Sequence, residues 1–228
     1  MIGRKAISKI GNDHLYAGTN RQDIALMNED FSFKLVCDGC GSMPFAEVGA
    51  ALFAQEILRI ANLNRFNFLK SVNQIFAHLT HDLCRDDSLM ILRNLSFTIL
   101  AVFADENGWT VFTCGDGYLL LQQGDELTYQ NLDLDHCEYP AYFAYNWVDG
   151  RMLDAYQSGV SFATYQFSRD DFANVGVATD GLRFAEHIPD LVDRARFREK
   201  LVAGKTGQVE MLINKYQQVF KDDISIAF

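Results

Sequence analysis

Apolar and polar positions follow two rhythms along this chain. A loose two-residue alternation over Lys5–Ile10 predicts an opening strand, and the apolar run Phe31–Cys37 predicts a second. From Glu47 to Ala61 the residues Val48, Leu52, Phe53, Ile57 and Ile60 recur at helical spacing. A second stripe, Leu69, Val72, Ile75, Phe76, Leu79 and Leu83, predicts a helix from about Phe66 to Cys84, closed by the polar residues Asp82, Arg85, Asp86 and Asp87. Both stripes read as faces that pack on a core rather than as cofactor boxes. Leu95–Ala104, Trp109–Cys114, Tyr118–Gln122 and Glu126–Gln130 are strand-like runs separated by short turns, which predicts an antiparallel meander. Residues 131–159 hold many aromatics and Pro140 but no clean period, and are read as a loop-rich insertion. Strands return at Val160–Phe167 and Asn174–Thr179, helical spacing at Pro189–Val202 and Gln208–Phe220, and a last strand at Ile224–Phe228.

Helices that flank blocks of strands, rather than alternating with single strands, argue against a parallel sheet. The expected class is α+β: a four-layer α-β-β-α sandwich of two mostly antiparallel sheets, each flanked by a helix pair. A chain of 228 residues, 49% of them hydrophobic, suits one domain over residues 1–228. The net charge of −10 and the lack of a basic run exclude a nucleic-acid partner on electrostatic grounds. Runs such as Ile99–Phe103 and Val111–Cys114 fall far short of the ~20 residues of a membrane helix, so no membrane partner is expected. Five cysteines at irregular spacing, with no leader-like segment before the first strand, lead to the expectation of a reduced, cytoplasmic protein.

The chemistry is carried by acids at the ends of apolar runs. Asp23, Asp38, Asp116, Asp180 and Asp222 each stand beside a strand-like segment, and three of them are followed by glycine. A hairpin turn accounts for any one Asp-Gly pair, but strand-end carboxylates from remote segments are also how rigid cation sites are built. The short Asp side chain fixes its oxygens, and a following glycine leaves its carbonyl accessible as a further donor. Donors that are all oxygen suit magnesium or manganese rather than zinc or copper. Two such ions about 3.5–4 Å apart can share a water, lower its pKa and polarise a phosphoryl oxygen.

Asn20-Arg-Gln-Asp23, Asp38-Gly-Cys-Gly41, Gly115-Asp-Gly117, Thr179-Asp-Gly181 and Asp222-Asp-Ile-Ser225 follow one another over residues 20 to 225. Together they resemble the protein phosphatase 2C family of metal-dependent serine/threonine phosphatases. The opening segment, with His14, Gly18-Thr19 and Gln22-Asp23, looks more like its divergent bacterial branch. The resemblance implies that Asp38 bridges two Mn2+ or Mg2+ ions, that the Gly39 carbonyl ligates one of them, and that Asp180 and Asp222 complete the first. It places Asp23 near the ions through water and Asp116 at a weaker third ion. It further implies a metal-activated water as nucleophile, a phosphorylated protein as substrate and an opposing Ser/Thr kinase.

The departures are specific. Gln22 stands where the family has Glu and makes a weaker ligand; Gly18 stands where an arginine commonly grips the phosphate; Cys40 stands where a histidine is expected. Arg21 is the candidate substitute for the phosphate contact, and His14 the candidate for protonating the leaving group. Because of these losses the alternative function is a weak or inactive phosphatase-fold module that binds phosphoproteins as a regulator. Cys37 and Cys40 also form a Cys-x-x-Cys, but zinc lacks two further ligands at suitable spacing, and Gly41 and Pro44 follow where a redox motif would open a helix. The insertion at 131–159, lying before Asp180, is a candidate substrate flap.

Overall fold

The computed structural model describes residues 6–132, 140–149 and 156–228. In chain order its first half comprises β1 (Ile7–Lys9), α1 (Asn12–Ala17), β2 (Ile24–Met27), β3 (Phe33–Cys37), α2 (Ala46–Arg59), α3 (Phe68–Asp82), α4 (Ser88–Leu95) and β4 (Ile99–Asp105). The second half comprises β5 (Gly108–Cys114), β6 (Tyr118–Gln123), β7 (Glu126–Asn131), β8 (Ala163–Ser168), β9 (Asn174–Ala178), α5 (Leu191–Val202), α6 (Thr206–Lys215) and β10 (Ile224–Ala227). Two 3-10 segments, Phe143–Trp147 and Asp180–His187, add to these. One sheet runs β1-β10-β9-β6-β7 and the other β2-β3-β4-β5-β8, with every pairing antiparallel.

The alternation along each strand explains the layers. On β3, Leu35 and Cys37 join the aromatic core under α2, α3 and α4, while Val36 turns into the space between the sheets. On β6, Leu120 faces α5 and α6, while Leu119 and Leu121 face the other sheet. Ile224 and Ile226 of β10 likewise meet α5 and α6, and Ala227 points inward. The result is the four-layer sandwich expected from the sequence. Each fully buried Leu, Ile or Phe in it contributes about 1.5–3 kcal/mol. The outer core under α2 and α3 is knit by rings: Phe53 lies 5.7 Å from Phe76 and 5.5 Å from Phe97, centroid to centroid.

Several expectations need correction. The four consecutive strands do not form one meander: β4 and β5 belong to one sheet and β6 and β7 to the other, so the Gly115-Asp116-Gly117 turn crosses between sheets. Gly117 sits at φ 135°, where an added Cβ would come within 2.7 Å of the Ala178 carbonyl, so only glycine makes this crossing without strain. The polar stretch after Gly11, for which no element is expected from the sequence, forms the short helix α1. The run Ile24–Met27 is a strand, and the segment after Asp87 is a further helix, α4, capped by the Asp87 carboxylate on the Met90 N–H at 2.9 Å. The helical layer on that side therefore has a third long member. Val48 and Leu69, assigned to the buried stripes, are 41% and 40% exposed because each lies off the Ala50-Phe53-Ile57 and Phe68-Val72-Phe76 faces. The last helix stops at Lys215 rather than Phe220.

Within the proposed insertion, Phe143 packs on Phe76 at 4.9 Å, and residues 133–139 and 150–155 lie outside the described part. Among the described residues no helix is long and apolar enough to cross a membrane.

Candidate active site

The register of the two sheets places the acids at one rim. Ile24 pairs with Cys37, so Asp23 and Asp38, each one residue beyond, leave β2 and β3 at the same end. In the other sheet Ala178 pairs with both Tyr118 and Ile226, which brings Asp180, the Asp116 turn and the Asp222-Asp223 pair to a common end. Thr179 joins the two sheets there. Its Oγ1 donates to Asp23 Oδ2 at 2.5 Å and accepts from the Ser225 N–H at 3.0 Å. Asp38 is fixed through its backbone: its N–H donates to Thr98 Oγ1 at 3.1 Å and its carbonyl accepts from the Thr98 N–H at 2.8 Å.

Burial dominates the electrostatics. It raises the Asp38 carboxyl well above the usual carboxylate range, and the charges of Asp23, Asp180 and Asp116 push it further. Asp23 is raised for the same leading reason, offset in part by the Thr179 hydroxyl. Asp180 is raised to about 6, first by burial, with the Arg183 guanidinium opposing the rise. Asp38 is within hydrogen-bonding reach of both Asp23 and Asp180, so it occupies the middle of the cluster.

The tandem acids divide. Asp223 is 1% exposed, and its Oδ1 accepts from the Gly11 N–H at 2.7 Å and sits 2.8 Å from His14 Nδ1. Its Oδ2 accepts from the N–H groups of Gln22 at 2.5 Å and Asp23 at 3.4 Å. Asp222 points outward with a half-exposed side chain. There the Arg183 guanidinium lies 2.7 Å from Asp180 Oδ2 and 3.7 Å from Asp222 Oδ2. Glycine is required next to this pair, because a Cβ on Gly181 would lie 1.8 Å from the Asp223 carbonyl oxygen.

The remaining candidates are placed as follows. His14, on α1, is brought to the rim by Asp223. Gln22 reaches the Asp38 loop, where its buried Oε1 has no hydrogen-bond partner and an added Cβ on Gly41 would lie 3.4 Å from it. Arg21 donates its Nε to the Asp23 carbonyl at 2.9 Å and its Nη1 to the Ser8 carbonyl at 3.2 Å, so it also clasps β1 against β2. Gly39 forms an isolated bridge to Phe97. Cys37 and Cys40 are free thiols, the first buried in the helix-facing core, so they are not a disulfide. Cys84 and Cys114 are free as well, and Cys137 lies outside the described residues.

Sequence reasoning missed four residues. Asp223 carries a signal, since Ile224 and Ile226 face the helices and the strand phase turns Asp223 inward. Thr179 opens the Thr179-Asp-Gly181 motif and Arg183 follows it, but neither has a signature of its own. Tyr142, from the insertion, is buried against Cys40, with burial and then Cys40 raising its phenol.

The donor set fits a hard divalent cation. A cluster of buried carboxylates with a partnerless amide oxygen beside it calls for positive charge, and a guanidinium already supplies one between Asp180 and Asp222. The placement is not that of a formed site: among the described residues no group of three or more His, Cys, Asp or Glu side chains is arranged to hold a metal ion.

A family model described as protein phosphatase 2C matches residues 10–206. No curated protein matches the sequence. Among solved structures, a bacterial serine phosphatase superposes with a TM-score of 0.65 at 14% identity, covering 97% of this chain and 94% of that one. The catalytic domain of the serine threonine protein phosphatase PstP, solved in complex with two manganese ions, gives a TM-score of 0.63 at 12% identity, covering 97% and 94%. PppA, a regulatory component of a secretion system in Pseudomonas aeruginosa, gives 0.63 at 14%, covering 97% and 93%.

Proposed function

Since the chain belongs to the protein phosphatase 2C family, we propose that it hydrolyses phosphoserine or phosphothreonine in proteins, with residues 1–228 acting as one metal-dependent catalytic domain. The observation that carries this reading is Asp38: a half-buried carboxyl beside three other acids, Asp23, Asp180 and Asp116, where desolvation and like charge both disfavour its ionised form unless a cation is present. Asp38, the Gly39 carbonyl, Asp180 and Asp222 are the residues that would hold two Mn2+ or Mg2+ ions, with Asp23 and Gln22 nearby and Asp116 at a third. The ions supply Lewis-acid activation of water and of the phosphoryl oxygens.

The chain's own part in turnover centres on His14. A carboxylate can only accept, so His14 Nδ1–H donates to Asp223 Oδ1; as imidazolium the ring also carries a proton on Nε2, which would pass to the departing seryl or threonyl oxygen and leave the neutral imidazole still bonded to Asp223. That arrangement supplies what Cys40 cannot. The Tyr142 contact with Cys40 supports the reading of the insertion as a substrate flap.

The test is hydrolysis of para-nitrophenyl phosphate with manganese, with magnesium and after chelation, beside Asp38→Asn. Manganese-dependent turnover that falls at least ~100-fold in the variant is expected, beyond the 10–100-fold typical of residues that only orient a ligand. Turnover no greater than that of Asp38→Asn would overturn the enzyme reading in favour of a phosphoprotein-binding module.

A further inference from the structure

Arg183 places its guanidinium at the acid rim and touches two of the residues assigned to metal. Its Nη1 lies 2.7 Å from Asp180 Oδ2 and its Nη2 3.7 Å from Asp222 Oδ2. The 3-10 turn that begins at Asp180 sets this up, because residues three apart on such a turn eclipse one another. The planar fork then reaches from Asp180 across to Asp222, which Gly181 allows to approach by packing against the Asp223 carbonyl. The guanidinium edge also rests over the Phe184 ring, with Cζ 4.9 Å from its centroid, so the side chain is supported in this pose rather than drawn only by charge.

We propose that Arg183 is a built-in counter-ion for the Asp180–Asp222 ligand pair: it holds the two carboxylates when no metal is present and must let go of them for the ion to bind. The inference rests on the metal-dependent reading above. The guanidinium lies against Oδ2 of both acids, so its positive charge and its volume oppose an ion approaching the same edge of the pair. Metal binding therefore carries the cost of breaking the Arg183 contacts, which weakens the apparent affinity at this pair while leaving Asp38 and Asp23 untouched. Arg183 is thus a positioning residue with an effect opposite to that of a ligand.

The test is Mn2+ binding, followed by calorimetry and by the electron paramagnetic signal of free Mn2+, on the full chain, on Arg183→Leu and on Arg183→Lys. Leucine removes the competing charge, and binding should tighten about fivefold, the size that a half-exposed charge pair supports. Lysine keeps the charge and should leave the affinity within about twofold of the parent. Equal or weaker binding by Arg183→Leu, with the parent still binding Mn2+, overturns this inference alone. No binding by any of the three proteins overturns it together with the phosphatase reading. Because Arg183 is 47% exposed, the substitutions leave the core intact, and binding is read independently of turnover.

Discussion

Two carboxylate pairs stand at the same rim of this sandwich and are kept there in opposite ways. On the sheet beneath α2, α3 and α4, the buried Asp23 carboxylate is answered by the neutral Thr179 hydroxyl, while the half-buried Asp38 is held only at its backbone by Thr98, its carboxyl facing the other acids. Asp180 and Asp222, on the sheet beneath α5 and α6, are more open to water and answered by a charge, Arg183. The first pair stores unfavourable charge, because burial cannot be offset by a dipole as fully as by an ion. The second pair is already half neutralised. A cation entering the site therefore gains most at Asp38 and least at Asp222, and the two halves of one motif set are unequal in how they ask for metal.

The largest effect that should separate the pairs is at Thr179. Thr179→Val keeps the shape but strands two buried groups, Asp23 Oδ2 and the Ser225 N–H, at a cost of about 2–4 kcal/mol. The midpoint of urea unfolding measures it. A loss below about 1 kcal/mol would show that the inter-sheet hydroxyl is incidental and that the buried pair is held by its strands alone.

Protonation sharpens the contrast next. Asp23 and Asp38 are raised by burial, and Asp180 to about 6, so the folded chain holds protons at pH values where the unfolded chain, with carboxyls near 4, has released them. Stability then falls as pH rises wherever the folded state binds more protons. The metal-free protein should accordingly melt higher at pH 5 than at pH 8, by several degrees at about 2–4 °C per kcal/mol for a chain of this length. Saturating manganese should remove or invert the trend, since an ion favours the ionised acids. Equal melting temperatures at the two pH values without metal would mean that the rim is better hydrated than its burial implies.

How much of this could be read from the residues follows from what each feature depends on. The layers were legible because period-two and period-3.6 patterns are properties of single segments, and Leu35, Val36 and Cys37 show their facing directly. The split of the four central strands was not, because a Gly-Asp-Gly turn looks the same whether it joins neighbours or crosses between sheets. Helix α1 escaped because six residues with no buried side chain have no stripe to show. At the site, the motif acids and His14 were nominated from sequence, and the rim gathers Asp23, Asp38, Asp180 and His14 as a set. Arg21 was nominated for an anion, and its clasp on the Asp23 and Ser8 carbonyls was not legible, because it depends on how β1 lies against β2. Asp223 was overlooked beside Asp222, although the strand phase of Ile224 and Ile226 could have chosen it.

The smallest expected effect bears on the exposed pair. Arg183→Gln removes the charge but keeps a polar side chain, and exposed ion pairs contribute about 0–1 kcal/mol. Metal-free stability at neutral pH should move by no more than that, because Asp222 and much of Asp180 can turn to water once the guanidinium is gone. Asp180 loses the larger of the two contributions that oppose its raised pKa, so the gain in stability on acidification should be larger in the variant than in the parent. Thermal melts of both proteins at pH 5 and pH 8 with chelator present read the two effects together. A loss at pH 8 as large as that of Thr179→Val would break the comparison, since it would mean that Arg183 is as integral to its sheet end as the buried hydroxyl is to the other, and that one rim, not two unlike pairs, is the unit that metal must reorganise.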